Sequence, residues 1–131
     1  MTNSNAQTAI ANDQDKKRFD IHERIFNFVS RILNLTKSLP KTQQNLVLIN
    51  QITRSATSIG ANDQEADGAR TRKDFFHCYT IVKKETKETN YWLRMTSTTN
   101  PGFSKRMESL IKEGLEIEAI VSSIVKKSDS K

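Results

Sequence analysis

The chain has 131 residues, enough for one hydrophobic core, and 27% charged residues with only 4 Gly and 2 Pro favour helix over sheet. Its single cysteine, Cys78, excludes an intramolecular disulfide; no apolar run approaches the roughly 20 residues of a membrane span or follows a basic start as in a signal peptide, so a cytoplasmic location is expected. The formal net charge of +6 favours phosphate polymers or anionic surfaces as partners, or else a solvated basic helix face.

Residues 1–18 are rich in Asn, Gln, Thr, Ala and Asp without apolar periodicity and read as a disordered tail; residues 128–131 are expected to be a disordered end, leaving 19–127 as one domain. Asp20 and Glu23 have the spacing of a capping box. Ile21, Ile25, Phe28, Ile32 and Leu35 then step by four and three and define a first helix that ends near Pro40. His22, on the charged stretch at its start, reads as an exposed or capping histidine.

The second helix is expected from Thr42 to Asp67, with Gly68 as its stop. Ile49, Ile52, Ala56 and Ile59 mark its core face, and Ser55, Ser58, Gly60 and Ala61 thin the helix so that a neighbouring backbone can approach. Asn62 follows Ile59 at the next step of the stripe. Its carboxamide is expected in or beside the core, hydrogen-bonded and specifying register more than adding stability. Glu65 reads either as a partner for Arg54 or for Lys73 of a neighbour, or as a solvated helix end.

Thr71 and Asp74 repeat the capping-box spacing and open a third helix through about Met95. At about 100° per residue, Phe75, Tyr79, Val82, Thr86 and Leu93 share a core face, while Ile81 and Trp92 fall roughly 100° away. That second apolar side calls for cover, from a loop of the same chain or from another subunit. Lys73, Lys83, Lys84, Lys87 and Arg94 occupy a third sector. Between Arg70 and Arg94 there are seven Lys/Arg against Asp74, Glu85 and Glu88, and 7 − 3 gives +4 for this segment alone. Asn100, Pro101 and Gly102 make a turn, and Met107, Leu110, Gly114, Ile117, Val121 and Ile124 carry a fourth helix. Four helices with short links pack most simply as an all-α, antiparallel up-down bundle.

Catalytic chemistry is not signalled. Asp74 and His77 have the carboxylate-x-x-His spacing of di-iron bundles but no second pair accompanies them, Cys78 reads as a half-buried structural thiol, and no glycine loop is present to cradle phosphate. No catalytic residue, metal or cofactor is therefore expected. Tyr91 is the best candidate for stacking on a base, though aromatics interleave poorly with the lysines, and binding to the nucleic-acid backbone is the more natural form.

The stretch QITRSATSIGANDQEA at 51–66, with DFF at 74–76 and KKETKETNYWL at 83–93, resembles the four-helix-bundle family encoded by intervening sequences within bacterial 23S ribosomal RNA genes; the likeness covers roughly residues 19–126. Asp63 and Gln64 depart from it, standing where relatives more often carry an aromatic and a basic residue. The resemblance implies a homopentamer around a central channel, with Arg54, Asn62 and Glu65 as motif positions, and the second apolar side of the third helix makes Ile81 and Trp92 the candidates for the subunit contact. One relative, the accessory variability determinant of diversity-generating retroelements, binds nucleic acid and a reverse transcriptase. The combined expectation is a non-enzymatic oligomer that binds RNA or DNA through Lys73, Lys83, Lys84, Lys87 and Arg94, with a reverse transcriptase or other nucleic-acid enzyme as a further partner. The alternative is an oligomeric protein-binding scaffold with no nucleic-acid role.

Overall fold

A computed structural model describes residues 13–129, with side chains from residue 21 onward. The described residues form four α-helices: α1 (Asp13–Ser38), α2 (Gln43–Asp67), α3 (Arg72–Thr99) and α4 (Ser104–Lys126), with short 3-10 turns at Pro101–Phe103 and Lys127–Asp129. None of these helices is long and apolar enough to cross a membrane.

Helix α1 starts before the expected cap at Asp20. Residues 13–20 contain no Gly or Pro to break a helix, so the Asp20–Glu23 spacing lies inside a continuous helix. Of the expected tail, residues 13–18 are helical and residues 1–12 lie outside the described residues; at the other end, 128 and 129 belong to the final 3-10 turn and 130–131 lie outside. The Nζ of Lys41 closes the end of α1, donating to the carbonyls of Thr36 at 3.0 Å and Leu39 at 2.7 Å.

Both threonine caps form. Thr42 Oγ1 accepts from Asn45 N at 3.1 Å and Thr71 Oγ1 accepts from Asp74 N at 3.0 Å. Helix α3 passes the expected end at Met95 and runs to Thr99, the Thr96 and Thr99 hydroxyls bonding back to the carbonyls of Trp92 and Met95, and Pro101 enforces the stop near Asn100.

Cross-helix hydrogen bonds fix the packing. Along α2 and α3 the pairs Asn45–Asn100, Ser55–Thr89 and Asp63–Tyr79 run in opposite sequence directions, as do Arg24–Glu113, Arg31–Ser109 and Ser38–Arg106 along α1 and α4. The helices are therefore antiparallel neighbours in the order α1, α2, α3, α4 around one core. Every residue of the α1 stripe from Ile21 to Leu35 is buried, as are Tyr79, Val82, Thr86 and Leu93 of α3; Phe75 is half-buried beside them. Burying such side chains stabilises the fold by roughly 1.5–3 kcal/mol each.

The close backbone approach falls elsewhere than expected. A Cβ at Gly60 would meet Val29 at an ordinary 3.7 Å, whereas one at Gly114 would overlap Asn90 Oδ1 and come within 2.9 Å of Phe28 Cζ. Asn90 Nδ2 donates to the Gly114 carbonyl at 2.9 Å and to Glu118 Oε1 at 2.8 Å, so α3 and α4 meet at that residue. Asn45 and Asn100 exchange carboxamide bonds at 2.9 and 3.0 Å, joining the start of α2 to the end of α3.

Candidate nucleic-acid interface

Helix α3 presents three different flanks. Its core flank is described above. On the side facing α2, Glu85 is buried and Glu88 half-buried, and the Arg54 guanidinium reaches both, with a contact to Glu85 at 3.7 Å and a direct hydrogen bond to Glu88. Trp92 Nε1 makes a long contact of 3.5 Å to the same Glu88 carboxylate, and its ring packs against the edge of the core. Ile81 and Trp92 are both half-buried within one chain.

The third flank carries the basic residues. Lys73, Lys84, Lys87 and Arg94 are exposed and Lys83 half-buried, and none of the five forms an ion pair among the described residues. Two of the three acidic residues of the helix, Glu85 and Glu88, face α2 and are paired there; Asp74 sits at the helix start. The positive charges thus stand apart from the two central carboxylates of their own helix, and a basic strip without ion pairs remains along it. Tyr91 lies within this strip, 53% exposed, its ring edge-on to Trp92 at 5.0 Å between centroids.

The remaining motif residues sit outside the strip. Asn62 lies beside the core, half-buried, and donates to the Ser58 carbonyl at 2.9 Å and hydroxyl at 3.2 Å, all within α2. Glu65 is exposed and makes no ion pair with Arg54, which is committed to α3. Asp74 and His77 are both exposed at the start of α3.

The polar step into the core falls on Asp63. Its carboxylate is buried, accepts from Tyr79 Oη at 2.5 Å, and contacts His22 Nδ1 at 2.8 and 2.9 Å; the Nε2 of His22 lies 3.4 Å from Asp67. His22 is therefore a half-buried link between α1 and α2, not an exposed or capping residue. Burial of Tyr79, followed by its hydrogen bond to Asp63 and the nearby carboxylate charges, pushes the phenol pKa far above its ordinary range. The signal was the spacing: buried Ile52, Ala56, Ile59, Asp63 and Ala66 advance by four, three, four and three, which selects Asp63 over Asn62.

Comparisons with known proteins agree with this architecture. The profile of the 23S rRNA-intervening sequence protein family matches residues 17–123. A crystal structure of a protein of unknown function from the S23 ribosomal protein family of Bacteroides thetaiotaomicron is 38% identical, with a TM-score of 0.75, covering 84% of this chain and 98% of that one. No curated protein matches the chain.

Proposed function

The chain belongs to the 23S rRNA-intervening sequence protein family, and from that premise we propose that it is a non-enzymatic helical-bundle protein that binds RNA or DNA through the basic flank of α3. The observation that carries this reading is the separation of charge across α3: Lys73, Lys83, Lys84, Lys87 and Arg94 are unpaired among the described residues, while Glu85 and Glu88 are held by Arg54. Such a strip binds phosphates by charge and releases counterions, without reading sequence.

Assembly into a ring-like homo-oligomer, a pentamer by the resemblance, is part of the same proposal. Ile81 and Trp92 are incompletely covered within one chain, and Phe26, Val47 and Leu115 stand largely exposed. Five copies of a +6 chain carry 5 × 6, about +30, and bind a polyanion at several points at once. In that form the protein would serve as an accessory factor to a nucleic-acid enzyme such as a reverse transcriptase.

Anisotropy titrations with mixed-sequence RNA and DNA test the reading. Affinity is expected to depend weakly on sequence and to fall steeply between about 50 and 200 mM salt. Replacing Lys83, Lys84 and Lys87 together by Glu is expected to weaken binding by at least about tenfold, or about 1.4 kcal/mol, with the oligomer mass unchanged. Absence of wild-type binding at low salt, or equal binding by the triple variant, would reject it. The protein-scaffold reading would then take its place, supported by a groove of ≈ 630 Å³ between α2 and the end of α3, lined by Val47, Leu48 and Met95.

A further inference from the structure

Basic side chains alone do not distinguish a duplex from a single strand, because both present phosphates. An aromatic ring in the same strip does. Tyr91 is 53% exposed on a helix that buries its other tyrosine completely, and its hydroxyl has no hydrogen-bond partner among the described residues. Lys87 lies one turn before it and Arg94 one turn after it, which at about 1.5 Å per residue sets their backbone positions about 6 and 4.5 Å from that of Tyr91 along the axis. Those intervals are comparable with the step between neighbouring nucleotides, about 3.4 Å in a stacked strand and longer where a base is splayed out. Trp92 meets the ring at an interplanar angle of 75°, so the two rings are not stacked on one another, and the ring keeps half its surface open to a base.

From this arrangement we infer that the α3 strip takes single-stranded nucleic acid, with an unpaired base stacked on Tyr91 and its flanking phosphates held by Lys87 and Arg94. In a duplex the base faces are already stacked on one another, and extruding one costs a few kcal/mol, so the exposed ring adds nothing to duplex binding. In a single strand every base has a free face, and stacking on an aromatic side chain is sequence-tolerant. This inference rests on the proposed nucleic-acid binding and adds to it the strandedness of the ligand and the residue that selects it.

The test uses the full chain with a mixed-sequence single strand, the same strand annealed to its complement, and a single strand carrying 2-aminopurine, each at one low salt concentration. The wild type is expected to bind the single strand about tenfold more tightly than the duplex and to change 2-aminopurine fluorescence on binding, as base stacking does. Tyr91→Ala is expected to reduce the ratio of single-strand to duplex affinity by about tenfold and to abolish the fluorescence change, whereas Tyr91→Phe and Tyr91→Trp keep both. Circular dichroism of each variant checks that the helices persist. If the wild type binds duplex as tightly as single strand, or if Tyr91→Ala retains both the ratio and the fluorescence change, the strandedness inference is overturned while nucleic-acid binding stands. If neither form of nucleic acid binds, the underlying reading fails with it.

Discussion

Asp63 is 5% exposed at the edge of a mostly apolar core, and its two oxygens are shared between Tyr79 and His22. A buried carboxylate with partners adds little net stability, but partners left without it are costly. Asp63→Ala is accordingly expected to destabilise the fold by about 3 kcal/mol, and Tyr79→Phe by about 1–2 kcal/mol, measured by urea denaturation at neutral pH. Tyr79 also gives the fold an alkaline dependence. In the unfolded chain the phenol ionises near pH 10, while in the fold burial and Asp63 hold it protonated well above that pH. Above about pH 10 the folded state therefore binds more protons than the unfolded one, and stability falls by up to about 1.4 kcal/mol per pH unit from this group. Melts of wild type and Tyr79→Phe at about pH 9 and about pH 11 isolate the effect, since the variant lacks the group and should show a shallower loss. This cluster was legible only in part. The apolar rhythm of α2 reached its position, but a choice of the three-residue step selected Asn62, and nothing on α1 announced that His22 would turn toward α2.

Elements meet at points that no single helix encodes. Each helix's own angular pattern was readable: the α1 stripe, the core and basic flanks of α3 and the α4 stripe all stand where three-and-four spacing put them. Register between helices was not, because it depends on pairs such as Arg54 with Glu85 and Glu88, or Asn90 with Gly114, whose members are far apart in sequence. Gly114 shows what that register demands. An alanine there gains helix propensity worth up to about 1 kcal/mol but drives its Cβ into Asn90 and Phe28, so Gly114→Ala is expected to cost about 1–3 kcal/mol net. Removing the Asn90 carboxamide should relieve part of the overlap. A double-mutant cycle with Asn90→Ala is expected to show a coupling of at least about 0.5 kcal/mol, and strict additivity of the two changes would contradict the close approach.

At the scale of the whole molecule, assembly is tested by mass. Light scattering after size exclusion is expected to give several times the 15.0 kDa of one chain, and Trp92→Glu to lower that mass while circular dichroism stays helical. A wild-type monomer at micromolar concentration would refute the ring. Helix α3 is the element through which all of these properties pass, since its residues line the core, grip α2 through Glu85 and Glu88, meet α4 through Asn90 and carry the basic strip. It consequently has no idle face on which substitutions can drift unnoticed. In a saturation mutagenesis library sorted first for solubility and then for nucleic-acid retention, α3 should be the least permissive helix, with Tyr79, Val82 and Leu93 depleted in the first sort and Lys84, Lys87 and Arg94 only in the second. The order of depletion would separate the residues that make the protein from those that make it bind.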